Sequence, residues 1–268
     1  MKMINLARRL ILLGAEIIWF SVYFAKSMLS KAQIKHISAL RTKKNRTEHS
    51  QFIVEGKKCV KELLQSSFNL ERVYYTRAHE KVTEEIATDK KNLIEASVMA
   101  KISGQKTPEG ILAVVSIPEQ INFAWKKKVY IALDSIRDPG NLGTIIRLAD
   151  WYGLDIIMSH DCVDPYNPKV IQSTMGSLFH VNIHSIDLVS ELTKTQLPKL
   201  ATVLNGTSVY ELQSIQEGII IIGNEANGIS EAVLTLANQK ITIPKKGKAE
   251  SLNAAMACGI ITSFLVRS

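Results

Sequence analysis

Cysteine is scarce in this chain. Cys59, Cys162 and Cys258 are the only three in 268 residues, they lie far apart, and no CxxC pair exists. That argues against a disulfide framework and against a zinc site, and it fits a reducing cytosol with all three thiols as packing residues. Several ligand signatures are missing as well. There is no GxxxxGK[ST], so a P-loop is excluded, and no GxGxxG after a strand, which argues against dinucleotide binding. No GxSxG marks a hydrolase nucleophile. Internal repeats and low-complexity tracts are absent. His180 and His184 fall on a predicted strand with Val181 and Ile183 between them. At that spacing they share a face but sit ~13 Å apart, too far to bind one metal, and no metal is expected.

A long uninterrupted apolar run is also lacking. Lys2, Arg8 and Arg9 precede the apolar stretch Leu10 to Ala25, which Glu16 interrupts. It is shorter than the ~20 residues a spanning helix needs, and a carboxylate in lipid is costly, so no membrane partner is expected. Residues 1–28 are read as an extension with three origins open: a signal or anchor segment, an amphipathic extension, or untranslated sequence ahead of a start at Met28. The start at Met28 is favoured, because Leu29-Ser30-Lys31 leads straight into the first domain.

What the chain does have is core-forming residues and positive charge. Hydrophobic residues make up 46% of it and the formal net charge is +8. A basic balance suggests a polyanionic partner. The charge is concentrated: Lys31, Lys35, Arg41, Lys43, Lys44, Arg46, Lys57, Lys58 and Lys61 are opposed only by Glu48 and Glu55. Lys31, Lys35, Arg41, Lys43, Lys44, Arg46, Lys57 and Lys58 are the candidate contacts to a nucleic-acid backbone.

Residues 29–117 read as a small α/β domain. Helices are predicted over 32–40, 56–65 (with Val60, Leu63 and Leu64 inward) and 80–87, and strands over 52–54, 72–75 and 111–116. A linker over 118–128 ends in Lys126-Lys127-Lys128. The second domain, 129–268, alternates strands near 129–133, 155–159, 181–185, 200–204, 219–222 and 240–243 with helices near 142–152, 168–178, 187–194, 230–237 and 251–266. Continuous apolar strands such as Ile219-Ile220-Ile221-Ile222 predict a parallel sheet covered on both faces.

Three segments of the second domain carry polar residues just past those strands. The first is Asp138-Pro139-Gly140-Asn141-Leu142-Gly143-Thr144-Ile145-Ile146-Arg147, a turn running into an amphipathic helix whose N-terminus could receive an anion. Gly143 would let a partner approach the backbone closely. The second is Gly223-Asn224-Glu225-Ala226-Asn227-Gly228, after the isoleucine strand. The third runs from Ile243-Pro244 to Glu250-Ser251-Leu252-Asn253, with Ser251 as the expected N-cap of the last helix.

In that order the three segments resemble the signatures of the SpoU (TrmH-like) branch of the SPOUT superfamily of RNA methyltransferases. The region before them resembles the substrate-binding domain, similar to a ribosomal-protein RNA-binding module, that often precedes such catalytic domains. The resemblance implies an α/β domain whose parallel sheet carries a deep trefoil knot. It implies a homodimer with S-adenosylmethionine (AdoMet) held in the knot, acting on RNA in the cytoplasm. Leu204, Asn205, Gly206, Gly223, Asn224, Gly228, Ile243, Pro244, Ser251, Leu252 and Asn253 would then line the cofactor pocket. Arg147 occupies the position of the arginine that acts on the acceptor hydroxyl. Its pKa makes it a poor base, so it would instead stabilise a developing alkoxide and hold the adjacent phosphate. Asn141 would order the loop or bond the ribose or phosphate, Glu225 would position Arg147 or Asn141, and Ser251 and Asn253 complete the catalytic set. Ala254-Ala255 stand where the family often has bulkier residues, which removes no polar group. The expected activity is AdoMet-dependent ribose 2′-O-methylation of ribosomal or transfer RNA. The alternatives are a base-methylating enzyme of the same superfamily and a non-catalytic RNA-binding or ribosome-assembly protein.

Overall fold

Strand and helix formers alternate along the chain, and the computed structural model, which describes residues 29–119 and 123–267, sorts the strands into two sheets. The extension predicted over 1–28 lies outside the described residues. The chain divides into two compact units, one of residues up to Leu64 with Asn69–Ser116, the other of Gln65–Phe68 and Ile117 onward.

The first unit contains α1 (Lys31–Ala39), α2 (Lys43–His49), β1 (Gln51–Glu55), α3 (Lys57–Leu64), β2 (Leu70–Tyr75), β3 (Lys91–Leu93), α4 (Ala96–Ile102) and β4 (Ile111–Ser116). Its sheet runs β1-β4-β2-β3, with β4 antiparallel to both neighbours and β2–β3 parallel. One face packs Ile53, Tyr74 and Leu112 against Ile37 of α1, Leu40 just after it, and Met99 and Ile102 of α4. The periodic pattern missed α2, which has almost no apolar residue. It forms because Thr42 caps its first turn and Ser50 closes it in a left-handed conformation. Two expectations are corrected. The helix predicted over 80–87 is a 3-10 stretch, Arg77–Thr83. Leu64 is 36% exposed, because Cys59, Val60 and Leu63 already fill the inward stripe of α3.

The second unit contains β5 (Val129–Leu133), α5 (Pro139–Tyr152), β6 (Asp155–Ser159), α6 (Pro168–Thr174), β7 (Ile183–Ile186), α7 (Leu188–Thr193), β8 (Lys199–Ser208), β9 (Gly218–Ile222), α8 (Glu231–Leu234), β10 (Gln239–Thr242) and α9 (Ala254–Leu265). All strands are parallel, in the order β10-β8-β9-β5-β6-β7. Both β5 and β9 are buried along their whole length, as expected of central strands covered on two faces. The order runs outward from β5 in two directions. The loops leaving β5 and β9 therefore meet at the carboxyl edge beside a topological switch point, where α/β sheets bind ligands.

Three boundaries differ from expectation in ways that matter for the site. The helix predicted over 168–178 stops at Thr174, because Met175 adopts a left-handed conformation at φ 55°. His180 precedes β7 and lies 3.3 Å from Asp150 Oδ2, so it shares no strand with His184. The last helix begins at Ala254 with Asn253 as its cap. Ser251 therefore lies outside it, contrary to its expected capping role. Among the described residues no helix is long and apolar enough to cross a membrane.

Candidate active site

The loop after β5 enters α5 through Asp138, whose Oδ1 accepts from the Asn141 amide at 2.8 Å. Pro139 follows at the first helical position, where its missing N–H costs nothing. One amide of the helix N-terminus expected to receive an anion is thus taken by the chain's own carboxylate. Gly143 does admit a close partner, but the partner is α6: a Cβ there would lie 2.4 Å from Ser173 Cβ and 2.9 Å from the Val170 carbonyl oxygen.

Asn141, buried at 7% exposure, is the hub of the site. Its Nδ2 donates to Glu225 Oε1 at 2.7 Å, and its Oδ1 accepts from Asn253 Nδ2 at 2.7 Å. Asn253 meanwhile caps α9, its Oδ1 accepting from the amides of Ala255 and Met256 at 3.0 and 3.2 Å. One chain of side-chain hydrogen bonds therefore ties the loop after β9, the first turn of α5 and the start of α9. Of the two partners expected for Glu225, the structure shows Asn141. The Arg147 side chain is exposed and makes no hydrogen bond or ion pair among the described residues. It lines a groove of about 530 Å3 with Asp138, Asn141, Thr144, Asn253 and Met256.

The Gly223–Gly228 loop is shaped from within. Asn224 and Gly228 exchange backbone hydrogen bonds at 2.9 Å. Asn224 Oδ1 accepts from the amides of Ala226 and Asn227, both at 3.0 Å, and its Nδ2 donates to the Ser135 carbonyl at 2.7 Å. The Asn224 side chain thus holds the loop. A Cβ at Gly223 would sit 2.3 Å from the Gly228 carbonyl carbon, so only glycine permits this turn. Below it, the buried Asp134 carboxylate accepts from the Ser230 amide at 2.7 Å.

Neighbouring β8 pairs with β10 through Leu200 and Ala201, then again through Thr207 and Ser208. Residues 202–206 bow out between, exposing Leu204 at 68%. Gly206 lets the ladder close again, since a Cβ would lie 2.7 Å from the Lys240 carbonyl oxygen. Ile243 and Pro244 leave β10 beside it, and Leu252 is 50% exposed ahead of Asn253.

Sequence reasoning gave no site role to Asp134, Asp138, Thr144, Gln172 or Met175. Asp138 was legible as a cap before Pro139. The others are brought to the groove or its floor by tertiary packing. Ser135, at φ 60°, donates to Asp161, and that hydrogen bond is the main reason the Asp161 carboxyl is held below the usual range. The pair braces the β5 loop that leads into the site.

Of the expected RNA contacts, Lys31, Lys35, Lys43, Lys44, Lys57 and Lys58 are exposed in the first unit. Arg46 is not available: it is 2% exposed, and its guanidinium donates to the Leu40 and Arg41 carbonyls at 3.0 and 2.8 Å, closing the end of α1. Arg41 donates to the Ile102 carbonyl at 2.9 Å and to that of Ser103, so its guanidinium also binds protein.

The sequence matches the model of the SpoU rRNA Methylase family over residues 128–263. The chain belongs to the SpoU rRNA methylase family. Ahead of this SpoU region, residues 31–113 match the MRM3-like substrate binding domain. A Bacillus subtilis relative named 23S rRNA (guanosine(2553)-2′-O)-methyltransferase RlmP is 31% identical, with 87% of this chain and 95% of the relative covered. A TrmH-family protein from Porphyromonas gingivalis superposes with TM-score 0.82 at 33% identity, covering 89% of this chain and 98% of that one. An rRNA methyltransferase from Sinorhizobium meliloti, solved with AdoMet bound, superposes with TM-score 0.79 at 28% identity, over 89% and 95% of the two chains.

Proposed function

We propose that this SpoU protein transfers a methyl group from AdoMet to a ribose 2′-hydroxyl of ribosomal RNA, as a homodimer in the cytoplasm. The observation that carries this reading is the chain Asn253–Asn141–Glu225, which holds three separate loops together beside an exposed, unpartnered Arg147.

The residues present fit AdoMet. Residues 202–206, bowed out within β8, and the loops that leave β9 and β10 belong to three neighbouring strands of the sheet. They expose Leu204 and Leu252 as apolar surface and carry glycines where the backbone must turn or pack closely. Leu204, Asn205 and Gly206, Gly223 and Gly228, Ile243 and Pro244, and Ser251 to Asn253 would hold the cofactor. Asn224 would act by shaping the β9 loop. The knotted path implied for the last segment belongs to the same proposal. Bound there, AdoMet supplies an electrophilic methyl carbon on a sulfonium.

The chain's own residues then do the rest. Asn141, pinned from both sides, fixes the groove in which the ribose lies. Arg147 donates to the developing alkoxide and to the neighbouring phosphate, lowering the cost of losing the hydroxyl proton, which passes to that phosphate or to a water. The groove and the exposed lysines of the first unit hold RNA chiefly through phosphates, which gives affinity with little sequence reading.

The test is purified protein with methyl-labelled AdoMet and RNA from a strain lacking the gene, followed by nucleoside analysis. Label in a 2′-O-methyl nucleoside of ribosomal RNA is expected. Label on a base would establish the base-modifying alternative, and cofactor binding without label in any RNA would favour a non-catalytic role.

A further inference from the structure

Three residues that line the groove take no part in the methyl transfer described above. Gln172 and Met175 line it from α6 and its left-handed exit, and Met256 from the first turn of α9. Met175 and Met256 are 44% and 60% exposed, large apolar side chains left uncovered beside a polar site. The Gln172 side chain is exposed and has no hydrogen-bond partner among the described residues. Its amide offers an acceptor and two donors.

The position of α6 is set by backbone contact. No Cβ fits at Gly143, so the Val170–Ser173 turn lies directly on α5. Arg147 is one turn beyond Gly143 on the same face of α5, and Gln172 adjoins Ser173, so both are held along one groove. The volume of about 530 Å3 falls within the ~300–1,000 Å3 of small-ligand sites, which suits one nucleotide. A nucleotide stacked in a helix presents neither its ribose hydroxyl nor its base edge freely, and extruding it costs a few kcal/mol that a fitted base pocket must offset.

We infer that the part of the groove lined by Gln172, Met175 and Met256 takes the base of the target nucleotide, extruded from the RNA, with its faces against the two methionines and its hydrogen-bonding edge read by Gln172. The inference rests on the methyl-transfer reading above. Thioether side chains are polarizable and adapt to a flat ring, while an amide with both donors and an acceptor discriminates among base edges. Gln172 is then a specificity-determining residue, and Arg147 serves the sugar and phosphate of the same nucleotide.

The experiment uses the full chain, unmodified ribosomal RNA and labelled AdoMet, comparing wild type with Gln172→Ala and Gln172→Glu. Kinetics, AdoMet binding and the identity of the labelled 2′-O-methyl nucleosides are measured together. Gln172→Ala should lower kcat/KM for RNA about tenfold, leave AdoMet affinity unchanged, and spread label over additional nucleosides. Gln172→Glu, which keeps an acceptor and loses the donors, should alter the nucleoside distribution again. Wild-type kcat/KM and the same single nucleoside in both variants would overturn the inference. So would loss of AdoMet binding in Gln172→Ala, which would make Gln172 part of the scaffold. Absence of label with the wild-type protein would instead remove the methyl-transfer reading itself, and the inference with it.

Discussion

Arg147 and Arg46 differ in what their guanidinium groups meet. Arg147 points into a groove and meets no protein partner among the described residues, whereas Arg46 is buried against two carbonyls. Replacing Arg147 with Ala should reduce methyl transfer by ~10²–10³, the cost of losing one preorganised donor to a developing oxyanion. AdoMet affinity and thermal stability should stay as in the wild type; isothermal titration beside single-turnover assays checks this. Replacing Arg46 with Ala should instead destabilise the first unit by about 1.5–3 kcal/mol, because buried carbonyls lose charged donors. The loss would appear as a lower melting temperature. The cysteines make a third residue-scale case. Burial pushes the Cys258 thiol up to about 12 and raises Cys59 and Cys162 as well. All three should therefore be thiols at pH 8 and resist iodoacetamide in the native protein, then react together on unfolding. Labelling of one thiol under native conditions would contradict that burial.

At the scale of elements, the site depends on contacts that local sequence only permits. The glycine at 143 was legible as a place of close approach, but that the approaching partner is α6 depends on how two helices pack. Gly143→Ala should cost ~1–3 kcal/mol of stability, since its Cβ must displace Ser173. It should also raise KM for RNA more than that for AdoMet, because α6 moves relative to Arg147. The last helix teaches a related lesson. Both Ser251 and Asn253 are chemically able to cap it, and the local sequence pointed to Ser251. Asn253 is the cap because its Nδ2 can reach Asn141 while its Oδ1 accepts the first amides of α9. Strands β5 and β6 matched expectation to the residue, because unbroken apolar runs bounded by polar residues leave little choice of limits. Helix α2 escaped notice because its stability comes from its caps, with no apolar stripe to read.

For the whole molecule, the net charge of +8 and the exposed lysines of the first unit predict RNA binding that weakens steeply with salt. Plotted as log K against log salt concentration, the slope should become shallower by ~0.7–0.9 for each phosphate contact removed. A Lys43→Ala, Lys44→Ala double variant should show that change with an unaltered melting temperature, separating these lysines from Arg46. An unchanged slope would move the RNA contacts elsewhere on the protein.

By itself the sequence determined the α/β class, the parallel sheet and the polar segments that follow its strands. Continuous apolar strands can be covered only on two faces, and turn residues must follow them. Only the tertiary structure decided that Asn141 bonds Glu225 and Asn253, that Arg46 is interior while Arg147 is free, and that Gln172 and two methionines share the groove. Those relations join residues far apart in the chain, and the spacing that sets them comes from helix packing and strand order, which no local pattern encodes.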